Sequence, residues 1–207
     1  MTEAPSVPSV DDPAASVWRI GENLPWTAPW TGERRFWLQP SEGFPGLTEI
    51  VQATAPGEGE PMLSGMNVMR QRLGVTRLLC HVCGKPTPKS DRYLFPTATG
   101  TFLPMANGEQ RYVSHLPPTH AACAERAMRL CPHLRTRYAR PVRFPTDEGR
   151  IRPETSLPDS LKFLEAQIPR DRPVVYSYYR IYSPAFSRLV QRVRAEHAAG
   201  DGTREGT

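Results

Sequence analysis

The sequence predicts an α+β fold, in which a cysteine-rich module is embedded in a small irregular domain with short strands and a C-terminal helix. Two observations lead to this expectation. All four cysteines lie between residues 80 and 131, and the 207 residues include 23 prolines and 15 glycines. Because prolines interrupt helices and strands alike, long regular elements should be few and turns many.

Composition divides the chain into five segments. We expect residues 1–15, which contain no aromatic residue, and the polar tail 199–207 to be disordered. Residues 16–79 form a tryptophan-rich irregular segment with a short helix, and residues 80–134 form the cysteine-rich module. Residues 135–198 should contain a basic segment, a helix, a strand and the C-terminal helix.

The second segment contains all the tryptophans, Trp18, Trp26, Trp30 and Trp37. They could form a surface that stacks on sugars or bases, but we favour their use as padding for a thin core. Short strands are predicted over 35–38 and 47–53.

A helix is predicted over 65–73, capped by Ser64 and ended by Gly74. Arg70 and Arg72 should point away from its packing face, which would carry Met66, Met69 and Leu73.

The module begins with a Cys-x-x-Cys-Gly turn at residues 80–84, which aims two sulfurs at one point. Strand-forming residues follow at 92–95, 102–105 and 111–115, with Asn107-Gly108 as a tight turn between the last two. Thr119 should then cap a helix that runs to about Leu130 and stops before a proline.

Zn²⁺ requires four N or S donors, and the two pairs Cys80/Cys83 and His120/Cys123 would supply them to one structural ion. Cys131 is eight residues beyond Cys123, about 12 Å along a helix, so both cannot bind the same ion if the helix is continuous. Cys131 with His133 remains the reserve assignment for the second pair. The order of turn, hairpin and ligand-bearing helix is that of a treble-clef zinc finger, although 36 residues separate the pairs.

Two further helices and one strand are predicted after the module. The first helix covers 157–168, and the strand covers 174–181. The last helix begins at Ser183-Pro184 and carries an apolar stripe of Phe186, Leu189, Val190 and Val193.

The net charge of +5 is unevenly distributed. Residues 1–79 carry 6 arginines and 9 acidic residues, whereas residues 80–207 carry 20 basic and 12 acidic residues. Arginine binds phosphate in a bidentate fashion, so we predict nucleic-acid contacts for six arginines with no acidic residue among them: Arg126, Arg129, Arg135, Arg137, Arg140 and Arg143. A GC-rich genome would also explain 23 arginines against 3 lysines.

Two parts of the sequence carry a family resemblance: Met69-Arg70-Gln71-Arg72 with Cys80-His81-Val82-Cys83-Gly84, and Pro117-Pro118-Thr119-His120-Ala121-Ala122-Cys123 with Cys131-Pro132-His133-Leu134. Together they resemble a group of small, uncharacterised actinobacterial zinc-finger proteins. In that group a cysteine often occupies the position of His120, which implies a ligand role for His120. The resemblance implies zinc and a high-GC bacterial host, and it implies no activity.

Three hypotheses for function follow. The first is a non-enzymatic, zinc-stabilised binding protein that contacts nucleic acid through the arginines. The second is a protein–protein adaptor or assembly component that uses the tryptophan-rich segment and the C-terminal helix. The third is a divergent His-Asn-His nuclease built around His115, although Ser114 stands where such an enzyme would have an aspartate.

No nucleotide-binding loop, serine-hydrolase elbow or metalloprotease motif is present, so no catalytic residue or small-molecule cofactor is predicted. The N-terminus has neither a basic start nor an apolar run, and no stretch approaches the roughly 18–20 apolar residues of a membrane span. We therefore expect a cytoplasmic protein with reduced cysteines and no membrane contact.

Overall fold

The computed structural model describes residues 18–96, 102–131, 134, 140–144, 150–153, 159–168, 174–175 and 178–201. The described part confirms the α+β class, with short, mostly antiparallel strands and a C-terminal helix. Its three α-helices are α1 (Val68–Thr76), α2 (Ala121–Leu130) and α3 (Pro184–Asp201). Three-ten helices span Thr31–Glu33, Lys89–Asp91 and Asp159–Gln167. Residues 1–15 and 202–207 lie outside the described residues, and residues 199–201 continue α3 rather than beginning a tail.

The strands form four small sheets. The first contains β1 (Phe36–Pro40), antiparallel to β2 (Thr48–Gln52), which in turn runs parallel to β8 (Val174–Val175). The other three are antiparallel pairs: β3 (Tyr93–Leu94) with β6 (Val142–Arg143), β4 (Phe102–Pro104) with β5 (Gln110–Tyr112), and β7 (Arg150–Pro153) with β9 (Tyr179–Tyr182).

The β4–β5 hairpin closes with the predicted tight turn. Gly108 has a φ of +80° and its N–H donates to the Met105 carbonyl over 2.9 Å. Because glycine adopts positive φ without steric cost, the Asn-Gly pair identified this turn correctly.

The single strand predicted over 174–181 is instead two strands that belong to different sheets. Tyr178 packs with Ile50 and Val68, whereas Tyr179 packs with Tyr112 and Phe186. Two consecutive tyrosines therefore enter two different core clusters, and the chain changes sheets between β8 and β9. The alternation of side chains along a strand shows which residues face each side of one sheet. It does not predict where the chain leaves one sheet and joins another.

The helix predicted over 157–168 is a three-ten helix over Asp159–Gln167. Leu161 and Leu164 are buried, and residues three apart lie on the same face in a three-ten helix as well as in an α-helix. The sequence, in which Leu157, Leu161, Leu164 and Ile168 recur at helical spacing, therefore predicted a helix here but not its type.

The helix predicted over 65–73 begins later, and its caps were wrongly assigned. Asn67 caps α1, accepting hydrogen bonds from the N–H groups of Met69 and Arg70 over 3.0 and 3.1 Å. Gly74 lies inside the helix, where a β-carbon would be 2.7 Å from the ring of Pro117. This glycine permits close packing and does not end the helix.

The predicted packing face of α1 is also wrong, because the polar residues Arg70, Gln71 and Arg72 are buried. Arg70 binds both carboxylate oxygens of Glu33, over 2.6 and 2.8 Å. Arg72 lies 3.3 Å from a carboxylate oxygen of Glu49. The side-chain amide of Gln71 donates to and accepts from the backbone of Tyr179, over 2.8 and 3.0 Å. Each of these three side chains thus has a polar partner, as a low-dielectric interior requires, although Nε of Arg70 makes no hydrogen bond.

The C-terminal helix follows its prediction. The N–H of Phe186 donates to the hydroxyl of Ser183 over 3.0 Å, and Phe186 and Val190 are fully buried. They join a cluster that spans most of the sheets: Val75, Leu94, Tyr112, Val142, Phe144, Tyr179 and Ile181.

The tryptophans divide into two groups. Trp30 is buried and Trp26 half-buried, which fits their expected use as padding. Trp18 and Trp37 are 36% and 42% exposed.

Candidate metal centre

The Cys-x-x-Cys turn is closed by backbone hydrogen bonds. The N–H of Cys80 donates to the Lys85 carbonyl over 2.7 Å, and the N–H of Gly84 donates to the Cys80 carbonyl over 2.8 Å. Gly84 has a φ of +72°, a conformation that residues with a β-carbon rarely adopt. The glycine therefore allows the chain to reverse directly after the second cysteine.

The second pair of candidate ligands lies at the start of α2. His120, not Thr119, is the N-cap residue, because Thr119 is held in an extended conformation by two backbone hydrogen bonds with Tyr93. The carboxylate of Asp91 accepts from the N–H of Ala121 over 2.7 Å and so replaces the cap that the sequence assigned to Thr119. His120 and Cys123 consequently point from the first turn towards the Cys-x-x-Cys turn.

The two turns bring four ligand atoms together. One atom each from Cys80, Cys83, His120 and Cys123 lies within 4.8 Å of all the others, and no second group of three or more such residues occurs among the described residues. Nδ1 of His120 lies 3.5 Å from Sγ of Cys83 and 3.9 Å from Sγ of Cys123. Bonds of about 2.3 Å to sulfur and 2.0 Å to nitrogen place tetrahedral ligands of one ion about 3.5–3.8 Å apart.

The imidazole of His120 is oriented by a backbone carbonyl. Its Nε2 lies 3.0 Å from the Pro86 oxygen, which can only accept a hydrogen bond. Nε2 must therefore carry a proton, which leaves Nδ1 with a free lone pair facing the sulfurs. A fixed tautomer of this kind is typical of histidines that bind metals.

Protein groups alone do not favour three thiolates at this position. Burial, together with the neighbouring sulfurs of Cys80 and Cys83, raises the pKa of the Cys123 thiol to about 12. Burial likewise raises the pKa of Cys80. A divalent cation would favour the thiolates over the protonated thiols, because it binds the thiolate form directly.

Residues 19–28, which we call the strap, run along the outside of the Cys-x-x-Cys turn. The N–H groups of Trp26 and Thr27 donate to the carbonyls of Val82 and His81, over 2.8 and 3.3 Å. The Thr27 hydroxyl lies 2.7 Å from Nδ1 of His81. The strap thus packs directly against the Cys-x-x-Cys turn.

The strap is also joined to α2. The guanidinium of Arg126 donates to the Gly21 carbonyl, and a β-carbon on Gly21 would be 3.4 Å from that of Cys83. The sequence did not predict the strap or the cap by Asp91, because neither involves a periodic pattern or a recognisable spacing.

The reserve pair is not brought into the cluster. Cys131 is the C-cap residue of α2, outside the group of four ligand atoms, and His133 lies outside the described residues. The helix is continuous from Ala121 to Leu130, which separates Cys131 from Cys123 as the sequence argument required.

The predicted nucleic-acid contacts occupy different environments. Arg129, Arg140 and Arg143 are exposed, Arg126 is partly buried against the strap, and Arg135 and Arg137 lie outside the described residues.

His115 does not occupy an open site. Its ring stacks on Tyr178 with centroids 6.0 Å apart, and burial, with a contribution from the Arg180 guanidinium, lowers its pKa to about 4. The apolar stripe of α3 is likewise occupied, because Phe186 and Val190 are buried in the domain and Leu189 and Val193 pack against the same cluster.

Comparisons of the chain with protein-family models, with curated proteins and with solved structures found no match. Among the described residues, no helix combines the length and the apolar character that crossing a membrane requires. The function must therefore be argued from the site itself.

Proposed function

We propose that Cys80, Cys83, His120 and Cys123 bind one structural Zn²⁺ and that the chain is a zinc-stabilised binding protein rather than an enzyme. The observation that carries the proposal is the convergence of three sulfurs and one imidazole nitrogen from two separate turns. Thiolate and imidazole ligands in a group of four are typical of structural zinc, whereas Mg²⁺ and Ca²⁺ prefer oxygen ligands.

A structural role follows from the number of donors. Four protein ligands fill a tetrahedron and leave no position for a substrate or a reactive water molecule. The ion would instead join the Cys-x-x-Cys turn to α2, with the strap fastened to both. In small zinc fingers the binding of the ion supplies about 10 kcal/mol of folding free energy. The order of turn, hairpin and helix supports a treble-clef-like arrangement.

The partner proposed for this module is nucleic acid. Support comes from the exposed arginines Arg129, Arg140 and Arg143, which follow the centre in sequence and lie in the half of the chain with a net charge of +8. Arginine pairs with phosphate in a fixed, bidentate geometry, so a group of exposed arginines suits a polyanionic partner.

The zinc proposal is tested by measuring metal content after purification without added metal. We expect about one zinc per chain for the wild type and for Cys131→Ser, and loss of the ion in Cys83→Ser and Cys123→Ser. Metal loss in Cys131→Ser with retention in Cys123→Ser would instead support the reserve pair.

The nucleic-acid proposal is tested by fluorescence anisotropy with labelled DNA and RNA. Binding should be detectable at about 50 mM salt and should weaken strongly at about 200 mM. Arg129→Gln and Arg143→Gln should each reduce the slope of log affinity against log salt by about 1. Arg192→Gln, an exposed arginine of α3, is the matched control and should leave the slope unchanged. Absence of binding at the lower salt concentration would contradict the proposal.

A further inference from the structure

A shallow apolar depression between β1 and the three-ten helix Asp159–Gln167 is bordered by two exposed aromatic side chains. Trp37 lines the depression and is 42% exposed. Phe163 is 60% exposed, and its ring contacts that of Phe36, with centroids 5.5 Å apart. β1 is an edge strand of its sheet as far as the structure describes the chain, so Trp37 stands at the margin of the sheet.

Positive charge lies immediately beside Trp37. Arg34 and Arg35 precede β1, and both are exposed. The guanidinium of Arg35 is 5.8 Å from the centroid of the Trp37 ring, the distance of a cation–π contact. Within the described part of the chain, neither arginine takes part in an ion pair.

Among the described residues, the nearby carboxylates form no ion pair with these two arginines. Glu33 and Glu49 are buried and paired with arginines of α1. The exposed carboxylates of this part of the chain lie in loops or on the three-ten helix: Glu42, Glu58, Glu60 and Glu165. The margin of β1 is therefore positively charged and aromatic at the same time.

The shape of the depression distinguishes between two kinds of partner. Its volume of about 20 Å³ is close to the space that one water molecule needs. The residues of a protein partner that contribute most binding energy fill pockets, and no such pocket is available in this depression. A nucleobase stacks on an exposed ring face and needs no pocket.

We propose that Trp37, Arg34 and Arg35 form a stacking site for single-stranded nucleic acid, in which a base stacks on the indole and the guanidinium groups pair with backbone phosphates. Bases in a duplex are already stacked and paired, so only a single strand presents a free ring face to such a site. This inference rests on the proposed nucleic-acid function and names the form of nucleic acid that the protein would bind.

The test measures the affinity of the full chain for a labelled oligothymidylate of about 16 nucleotides, and for the duplex of the same length, at about 50 mM salt. Trp37→Ala should weaken single-strand binding about tenfold, and Trp37→Phe should retain most of it. Arg34→Gln with Arg35→Gln should weaken binding and reduce its salt dependence. Trp18→Ala, which removes another exposed tryptophan outside the depression, is the matched control and should bind like the wild type.

Each outcome bears on the inference. Tighter binding of the single strand than of the duplex, lost in Trp37→Ala and kept in Trp37→Phe, would support it. Wild-type binding that survives Trp37→Ala, or equal affinity for duplex and single strand, would overturn the inference while leaving the proposed function standing. No binding of either form by the wild type would overturn both. The double arginine variant keeps the indole. It therefore provides an independent test of the arginine–phosphate contacts if Trp37→Ala fails to fold.

Discussion

The indole ring of Trp26 lies directly against Gly84, the glycine that follows the second cysteine of the Cys-x-x-Cys turn. A β-carbon on Gly84 would be 2.8 Å from Cγ of Trp26 and 2.9 Å from two further ring atoms. The strap therefore contacts the turn so closely that only glycine fits, and this contact can be tested separately from metal binding.

Gly84→Ala should destabilise the metal-loaded protein by about 3 kcal/mol, measured by urea unfolding. About 1–2 kcal/mol would come from the positive φ and the remainder from the clash with Trp26. Gly108→Ala is the matched control, because Gly108 has a φ of +80° with nothing near its absent β-carbon. Equal losses of stability in the two variants would show that the Trp26 contact is unimportant.

Arg70→Ala should destabilise the protein by about 3–5 kcal/mol, because it leaves the fully buried carboxylate of Glu33 without its partner. Burial alone would raise the pKa of Glu33, but hydrogen bonds from Arg70 and from the N–H groups of Trp30 and Ala55 hold it below its usual value. In Arg70→Ala the two backbone hydrogen bonds would remain, but without Arg70 they would oppose the effect of burial on the pKa of Glu33 only in part.

The control for Arg70 is Arg192→Ala, which breaks an exposed contact with Glu196 and should change the unfolding free energy by less than about 1 kcal/mol. The double variant Glu33→Gln with Arg70→Met should recover part of the loss. A loss for Arg70→Ala as small as that for Arg192→Ala would mean that leaving the buried Glu33 carboxylate without its partner does not destabilise the protein.

His115 should make the protein sensitive to acid. Its pKa falls from 6.5 to about 4 on folding, first because the ring is buried and second because Arg180 is nearby. Between these pH values the unfolded chain therefore binds more protons at this residue than the folded chain does. The contribution of neutral His115 to the unfolding free energy is complete above about pH 6.5 and is lost as the pH falls to about 4. Its size is on the order of 3 kcal/mol.

The measurement compares the unfolding free energy of the wild type and His115→Phe across this pH range. Loss of metal in acid affects both proteins, so the difference between their slopes reports the titration of His115 together with the effect of its charge on the buried His81. Phenylalanine keeps a ring to stack on Tyr178, and the variant should show the shallower slope. Parallel curves would contradict the account.

His120 should bind the ion through Nδ1 and keep a proton on Nε2, which donates to the Pro86 carbonyl. Histidine ¹⁵N chemical shifts of the metal-loaded protein report this directly, because the protonated and the metal-bound nitrogen resonate at different positions. His120→Cys should still bind zinc, because sulfur is also a ligand, whereas His120→Ala should bind it weakly. A protonated Nδ1 in the metal-loaded protein would rule out the proposed ligand atom.

The residues that sequence reasoning located best depend on short-range geometry. The Cys-x-x-Cys turn, the ligand pair at the start of α2, the Asn-Gly turn and the Ser183 cap each involve residues within a few positions of one another. Their backbone conformations follow from glycine, proline and capping preferences that apply locally.

The residues that sequence reasoning located poorly take their positions from partners that are distant in the sequence. α1 was expected to bury methionine and leucine, but it buries Arg70 and Arg72 because Glu33 and Glu49 are presented to it from other parts of the chain. A hydrophobic pattern treats every arginine as exposed, and it has no means of recognising a buried pair formed with a residue 37 positions away. The strap was missed for a related reason, since Thr27 and its partner His81 in the Cys-x-x-Cys turn are 54 positions apart.

The most direct test of the central claim is X-ray absorption spectroscopy at the zinc edge on the full chain, purified without added metal. We expect three sulfur ligands at about 2.3 Å and one nitrogen ligand at about 2.0 Å, with no bound water. A protein that is folded without zinc, or a zinc ion coordinated mainly by oxygen, would contradict the central claim.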